Sequence, residues 1–214
     1  MTVINSIEDL RLLARRRLPR ALFDYIDRGS YDERTWTRNR DDLRALTLRQ
    51  RVMVDVSNLD TSVTVLGDRW AFPLALAPTG LMGLFYREGE IQAARAAQAV
   101  HIPFCLSTMS ICPIEDVRAA FQGTLWFQLY VMRDRGFTDA LITRAQAAGC
   151  PALVVTLDLP LQALRRRDPK NGLAVPPRLT WSSAGDFLAR PTWRGFRKKA
   201  RPHCRSGWAA SSAR

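Results

Sequence analysis

Polar side chains stand at or near the ends of four short apolar runs in this chain. The runs cover about residues 72–78, 102–107, 124–130 and 152–157. The polar residues at their ends are Thr79, Ser107, Gln128, Tyr130, Thr156 and Asp158. Hydroxyl and amide groups of this kind offer donors and acceptors to a bound ring or carbonyl. If the runs are parallel strands, their carboxyl ends meet on one rim, and the sequence predicts a binding site there.

The segments between the runs have the spacing of amphipathic helices. Helices are predicted over about residues 88–100, 113–121 and 137–148. Apolar strands that alternate with helices indicate a parallel sheet covered by helices. An open dinucleotide-binding sheet would carry G-x-G-x-x-G after a strand, and the sequence contains neither that motif nor a P-loop. We therefore predict an α/β fold, an incomplete TIM (β/α)₈ barrel comprising about the first four β-α repeats.

A helical segment precedes these repeats. Ser6 is a candidate N-cap for a helix that ends near Arg17, with acidic residues in its first turn. Pro19 and Gly29 bound a second helix, and residues 31–44 form a third. We expect one partial domain over residues 1–189, with the helical segment at 1–69 and the half barrel at 70–189.

The charge of the chain is concentrated near its C-terminus. The net charge is +12, yet residues 190–214 hold eight basic residues and no acid. This tail has no helical or strand period, so we expect a disordered basic tail. Such a charge run leaves an alternative function open, in which residues 190–214 bind nucleic acid or an anionic membrane surface. Residues 1–189 contain no nucleic-acid motif, which favours a protein without a nucleic-acid partner.

Cysteine and histidine usage points away from a metal site. The four cysteines form no CxxC pair and only two histidines are present, so we predict no metal ligands. Cys105 and Cys150 lie in or beside apolar runs, which is typical of buried reduced thiols. The N-terminus lacks the features of a signal peptide, and no apolar run approaches the roughly 20 residues of a membrane span. We expect a cytoplasmic protein, possibly peripheral on the inner face of the cell membrane.

Several stretches, in order, resemble one enzyme family. APTGLMGLFYREGE, LSTMS, LWFQLYV and TLDLPLQALRRRDPKNG are similar to the FMN-dependent 2-hydroxy-acid dehydrogenases and oxidases. That family includes L-lactate dehydrogenase, mandelate dehydrogenase and glycolate oxidase, and its fold is a TIM barrel. The resemblance runs from about Ser6 to Thr180. It implies a flavin-dependent oxidation of a small 2-hydroxy acid to a 2-oxo acid.

The resemblance assigns roles to individual positions. It implies that the backbone of Pro78, Thr79 and Gly80 lies against the FMN ring. Ser107, Gln128 and Thr156 match groups that hydrogen-bond the polar edge of that ring. Tyr25 and Tyr130 match the tyrosines that flank the substrate, with Tyr130 as the catalytic one. Arg165 matches an arginine that grips the substrate carboxylate, a task suited to a guanidinium fork.

The resemblance also bears on partners. Glycine at position 80, where many oxidases of the family have alanine, favours a dehydrogenase that passes electrons to a quinone or a cytochrome. Members of the family are often homo-oligomers. Ala163 departs from the family pattern, which usually has glycine there, and its methyl group is expected to crowd the loop before Arg165.

Other groups of the family do not occur in these 214 residues. They are a lysine at the flavin, a histidine base, a second carboxylate-binding arginine and the phosphate-binding loops. Neither His101 nor His203 matches the histidine base. We therefore expect a chain truncated before the catalytic base and inactive by itself.

Overall fold

The structure, a computed structural model, describes residues 3–159, 161, 163–171 and 181–199. The chain divides into two compact units. Residues up to 59 and residues 161–195 form one, the helical unit, and residues 60–159 form most of the other, the sheet unit. Each unit is described separately below.

The helical unit begins with three helices, as predicted. They are α1 (Ile7–Arg17), α2 (Arg20–Asp27) and α3 (Arg34–Ala45). The predicted N-cap is confirmed, because the Ser6 hydroxyl accepts from the Asp9 N–H and the Asp9 carboxylate accepts from the Ser6 N–H. This capping box satisfies two N–H groups that a helix start leaves open. Helix α2 buries Leu22 and Phe23.

The sheet unit opens with a hairpin that the sequence did not predict. Strands β1 (Val63–Val65) and β2 (Asp68–Trp70) pair antiparallel. Leu66 and Gly67 connect them with φ of 51° and 87°. Two positive φ values are what a type I′ turn requires, and glycine adopts one of them without steric cost.

Three parallel strands form the sheet that follows. They are β3 (Phe104–Ser107), β4 (Leu125–Tyr130) and β5 (Leu153–Thr156), in the order β3-β4-β5. The helices between them are α4 (Met82–Phe85), α5 (Gly89–Ala99), α6 (Ile114–Ala120) and α7 (Arg135–Ala147). The core lies between sheet and helices and includes Phe104, Ile91, Val117 and Leu125, all at most 1% exposed.

The prediction of a fourth parallel strand over residues 72–78 is wrong in extent. Only Leu76 pairs there, through one parallel bridge to Phe104. The Leu76 N–H donates to the Pro103 carbonyl at 2.9 Å, and the Cys105 N–H donates to the Leu76 carbonyl at 3.0 Å. Prolines at 73 and 78 flank this bridge. Because proline has no N–H, it cannot donate to a ladder, and pairing stops short on both sides.

The helical unit resumes with α8 (Arg167–Lys170) and α9 (Trp181–Leu188), followed by α10 (Pro191–Lys199), of which only residues 191–195 group with this unit. Helix α10 occupies part of the tail for which disorder was expected. Pro191 stands at its first position, and the rings of Phe187 and Trp193 meet edge-on with centroids 5.2 Å apart. Residues 200–214 of the tail lie outside the described residues. None of the helices in the described part of the chain is long and apolar enough to cross a membrane.

The cysteines of the described chain are free thiols, as predicted. Cys105 and Cys112 are buried and Cys150 is half-buried. Burial raises the pKa of the Cys105 thiol to about 12 and that of the Cys150 thiol to about 11. Both thiols therefore stay protonated at neutral pH. Cys204 lies outside the described residues.

Candidate active-site residues

Three of the predicted flavin contacts form one hydrogen-bonded row across the sheet. Ser107 pairs with Gln128 in the β3–β4 register, and Tyr130 pairs with Thr156 in the β4–β5 register. The Ser107 hydroxyl donates to Gln128 Oε1 at 3.2 Å. Gln128 Nε2 in turn donates to the Thr156 hydroxyl at 2.8 Å. The parallel register brings three strand ends together, and their side chains form the row.

The row is buried at its centre. Gln128 is 2% exposed and Ser107 is 4% exposed. Burying polar groups in this way is costly unless they are hydrogen-bonded, and the row satisfies both. The result is a fixed set of hydroxyl and amide groups whose rotamers are locked by one another.

The sequence did not predict a role for Thr108. Its N–H donates to Gln128 Oε1 at 3.2 Å, and its hydroxyl donates to the Gln128 carbonyl at 2.6 Å. The same hydroxyl accepts from the Tyr130 N–H at 3.1 Å. Thr108 thus joins the end of β3 to the end of β4. The signal was visible in the stretch LSTMS, where a second hydroxyl directly follows Ser107.

The loop at residues 78–80 lies beside this row. A Cβ built on Gly80 would lie 3.0 Å from the Cβ of Met109 and 3.8 Å from the Ser107 hydroxyl oxygen. The next residue, Leu81, donates its N–H to the Met109 carbonyl at 2.9 Å. Glycine at 80 therefore permits a backbone approach that a side chain would obstruct. Thr79 is exposed, and its hydroxyl is 3.4 Å from the Ala77 carbonyl.

These features fit the polar edge of a flavin ring. A planar ring system with carbonyls and ring nitrogens needs donors and acceptors that do not move, together with a bare stretch of backbone against its face. The row of Ser107, Gln128 and Thr156 provides the first, and Gly80 provides the second. Among the described residues, no group of three or more His, Cys, Asp or Glu side chains is arranged to hold a metal ion.

Two of the predicted substrate residues meet in the helical unit. The Arg165 guanidinium lies over the Tyr25 ring, 4.4 Å from its centroid. Arg165 Nε donates to Asp168 Oδ2 at 2.7 Å. Arg165 Nη2 donates to the carbonyls of Tyr25 and Arg28. We call this arrangement, Arg165 bound to Tyr25, Arg28 and Asp168, the arginine clip.

One end of the clip is open. Within the described part of the chain, Arg165 Nη1 has no hydrogen-bond partner. A guanidinium has five N–H donors, and two of them are on Nη1. The clip therefore fixes the plane of the guanidinium and leaves one nitrogen for an acceptor. Ala163, which departs from the family pattern, is exposed.

The remaining predicted residues are less constrained. Tyr130 ends β4 and is half-buried. His101 lies at the amino end of β3, where its carbonyl accepts from the Ala71 N–H at 3.1 Å. That position is at the opposite strand end from the row. His203 lies outside the described residues.

The sequence and the fold match those of known proteins. A sequence model of the family described as FMN-dependent dehydrogenase matches residues 14–212. L-lactate dehydrogenase from Caulobacter vibrioides is 56% identical over 174 residues, which cover 81% of this chain and 45% of that protein. L-lactate dehydrogenase from Alcaligenes faecalis is 51% identical, over 81% of this chain and 46% of that protein. The chain thus spans about half the length of the curated relatives it matches.

Solved structures agree with these relatives. The structure of the monotopic membrane protein (S)-mandelate dehydrogenase superposes with a TM-score of 0.85 at 34% identity, over 94% of this chain and 54% of that chain. A mandelate oxidase variant superposes with a TM-score of 0.76 at 34% identity, over 88% of this chain and 59% of that chain. These matches confirm the predicted partial TIM barrel. The chain belongs to the FMN-dependent dehydrogenase family.

Proposed function

We propose that the row of Ser107, Gln128 and Thr156 binds the polar edge of the FMN ring. The reaction it serves is the oxidation of a 2-hydroxy acid to a 2-oxo acid. The observation that carries this proposal is the hydrogen-bonded row itself, buried at the carboxyl rim of a parallel sheet. Family membership supports it.

In this proposal, the predicted flavin contacts of the sheet unit have two distinct tasks. The backbone at Pro78, Thr79 and Gly80 supports the face of the ring. Ser107, Gln128 and Thr156 hold its carbonyl oxygens and ring nitrogens in place. FMN, when bound, supplies a ring that accepts a hydride from the substrate carbon. The protein contributes orientation, because the ring edge contacts groups that are already fixed by their own hydrogen bonds.

The substrate end of the proposal assigns Arg165 to the carboxylate. Its open Nη1 donates to a substrate oxygen, while the clip holds the guanidinium in one plane. Tyr25 flanks the substrate, and the Tyr130 hydroxyl donates to a substrate oxygen as charge develops there. L-lactate is the proposed substrate, since the two relatives named above, at 56% and 51% identity, are L-lactate dehydrogenases.

The presence of glycine at position 80 favours a quinone or a cytochrome as the electron acceptor. The resemblance links glycine at this position with dehydrogenases and alanine with oxidases. The structure adds a physical reason for glycine, because a Cβ at position 80 would lie 3.0 Å from the Met109 Cβ. An alanine there requires Met109 to shift, which changes the surface next to the proposed flavin face.

We expect the 214-residue chain by itself to bind FMN weakly or not at all, and to show no turnover. A positioned base contributes roughly 10²–10⁴-fold to removal of a hydroxyl proton. Neither histidine of the chain matches that base, and His101 sits at the opposite strand end from the row. The phosphate-binding loops that the resemblance implies are likewise not among these residues.

The test of inactivity uses the purified chain with added FMN, a dye acceptor and L-lactate, glycolate or mandelate. A Tyr130→Phe, Arg165→Met double variant is assayed in parallel. We expect the two chains to give the same background rate. Turnover above that of the double variant would contradict the expected inactivity.

The flavin-edge assignment is tested by binding. Quenching of FMN fluorescence is measured for the wild-type chain, for Gln128→Ala and for the matched control Gln146→Ala, which changes an exposed glutamine of α7. We expect Gln128→Ala to weaken binding relative to both other chains. Equal binding by the two variants would count against the assignment.

A second candidate function, attachment to a membrane surface, rests on the last part of the chain. Residues 190–214 carry eight basic residues and no acid, and α10 lies within them. The neighbour (S)-mandelate dehydrogenase is described as a monotopic membrane protein. Basic segments are attracted to anionic lipid. Flotation with anionic liposomes is expected to carry the full chain but not one cut at residue 189, and a DNA shift assay on the same pair tests nucleic acid instead.

A further inference from the structure

Glu90 is a fully buried carboxyl group in the sheet unit. It is the second residue of α5 and is 0% exposed, next to the core residues Ile91 and Ala94. Its Oε1 accepts from the Gly83 N–H at 3.1 Å and from the Ile111 N–H at 2.9 Å. Within the described part of the chain, Oε2 has no hydrogen-bond partner. Burying a carboxyl group with only one hydrogen-bonded oxygen lowers the stability of the folded state, so the presence of Glu90 here calls for a role.

The two bonds of Glu90 join two segments beside the row of Ser107, Gln128 and Thr156. One is the Gly80 loop, which runs from residue 78 into the short helix α4, and the other is the loop of residues 108–113 that follows Ser107. Gly83 lies three residues after Gly80, and Ile111 lies four residues after Ser107. The same loops are joined by the bond from the Leu81 N–H to the Met109 carbonyl at 2.9 Å. A Cβ built on Gly83 would lie 2.8 Å from the Ile111 Cβ. The loops are therefore as close as backbone without a side chain allows.

Helix position alone does not account for Glu90. Glu115 is likewise the second residue of its helix, α6. Its carboxylate instead forms two 2.7 Å bonds to Arg144 on the surface. An acid in the first turn complements the helix dipole in both cases. Only Glu90 accepts from the two loops that carry Gly80 and Ser107.

We infer that Glu90 is a positioning residue. It sets the distance between the Gly80 loop and the row of Ser107, Gln128 and Thr156 without touching the flavin ring. A single oxygen that accepts from both loops fixes their separation more tightly than two independent bonds to different groups. The inference rests on the proposed function for the identity of the ligand. The loop spacing itself is a property of the chain without ligand.

Residue-resolved amide hydrogen exchange on the full chain tests the spacing. The variants are Glu90→Ala, Glu90→Gln and the matched control Glu115→Ala. In Glu90→Ala, exchange at Gly83, Ile111 and Leu81 is expected to accelerate by roughly ten- to a hundredfold, as for a buried N–H that loses its acceptor. Ala94 and Ala97 of α5 are expected to keep their rates.

Glu90→Gln retains a side-chain oxygen and is expected to restore the rates at the amides of Gly83, Ile111 and Leu81. Glu115→Ala is expected to leave them unchanged. An unchanged rate at Leu81 in Glu90→Ala would overturn the inference. Equal acceleration along α5 would also overturn it, because that pattern marks a general loosening of the core.

A second measurement separates this inference from the proposed function. Quenching of riboflavin fluorescence reports on the ring without its phosphate. We expect Glu90→Ala to weaken riboflavin binding more than Glu115→Ala does, and Glu90→Gln to recover it. If the wild-type chain binds no riboflavin, the flavin assignment gains no support from this chain, while the exchange rates still decide the role of Glu90. If flavin binds equally to all four chains, the positioning role is overturned and the flavin assignment stands.

Discussion

The hydrogen-bonded row and the arginine clip hold their side chains in place by different means. In the row, the side chains of Ser107, Gln128 and Thr156 bond to one another across neighbouring parallel strands. In the clip, Arg165 bonds to the carbonyls of Tyr25 and Arg28, more than 130 positions away in the sequence. The row depends on strand register, whereas the clip depends on one side chain that reaches distant backbone.

Because of this difference, we expect substitutions in the row and in the clip to change the stability of the fold by different amounts. The row is buried, so a truncated side chain leaves polar partners without bonds and without water. The clip is partly open, with the Arg165 side chain 28% exposed, so water replaces part of what is lost. We therefore expect single changes in the row to cost more stability than single changes in the clip.

Gln128→Ala is expected to have the largest effect. The change removes partners of the Ser107 hydroxyl, the Thr108 N–H and the Thr156 hydroxyl. Unsatisfied buried groups and a cavity together lower the free energy of unfolding by about 2–4 kcal/mol. Urea denaturation measures it, with Gln146→Ala as the exposed control. A loss for Gln128→Ala no greater than that of the control would show that the row does not stabilise the sheet unit.

Arg165→Ala is expected to cost less, about 1–2 kcal/mol, because water can replace part of its bonds to Asp168, Tyr25 and Arg28 and its cation–π contact is worth little at a partly exposed site. Arg166→Ala is the matched control, because Arg166 pairs with Asp32 on the surface and is 55% exposed. A double-mutant cycle with Tyr25→Leu should show coupling of about 0.5–1 kcal/mol through the ring contact. Additive effects of the two changes would mean that the ring contact contributes nothing.

The sequence predicted the row better than the clip for a physical reason. Apolar runs with polar ends determine which residues share a rim, so the positions of Ser107, Gln128 and Thr156 followed from the strand pattern. Tyr25 and Arg165 were paired only through family resemblance. No local pattern indicates that Arg165 reaches the Tyr25 carbonyl. Thr108 was missed because its role lies in bonds to the β4 backbone rather than in its place on a strand.

The fold was predicted with the same limits. Helices α1 to α3 and α5 to α7 and three of the strands followed from apolar period and caps, whereas α4, α8, α9 and α10 were not predicted. The strand at residues 72–78 was overestimated, because apolar content outweighed the two prolines that interrupt its hydrogen bonding. The β1–β2 hairpin was missed, since Leu66-Gly67 is a weaker turn signal than Asn-Gly or Asp-Gly.

The edge strand of the sheet, β5, differs from the row because its apolar side chains are exposed. In the described part of the chain, β5 pairs only with β4, and Leu153 and Val155 are 40% and 43% exposed. An open apolar edge strand promotes association with other chains. We expect the purified chain to self-associate as its concentration rises, and Val155→Lys to reduce this while changing unfolding free energy by less than about 0.5 kcal/mol. Sedimentation velocity measures the self-association, with Leu43→Lys in the helical unit as control. Association weakened equally by both changes would remove β5 as the cause.

The Glu115–Arg144 pair is expected to have the smallest effect, and it sets the baseline for an exposed polar contact. Hydrogen bonding to Arg144 lowers the pKa of the Glu115 carboxyl from its ordinary value of 4.5. A carboxyl whose pKa is lower in the folded state stabilises the fold above its unfolded pKa, and that contribution is lost as pH falls through the folded value. The Glu115 side chain is 56% exposed, so solvent screening limits the contribution to about 0.5 kcal/mol or less.

Urea denaturation of the wild type and Glu115→Gln over a series of pH values tests this contribution. The wild type is expected to be slightly more stable at pH 7, and the difference should shrink below about pH 4.5 as the carboxylate is protonated. High salt should also reduce the difference at pH 7, because the pair is accessible to ions. A difference that grows as pH falls would contradict the lowered pKa. A difference at pH 7 as large as that of Gln128→Ala would contradict the wider argument that burial, rather than the number of hydrogen bonds, sets the cost of a lost polar contact in this unit.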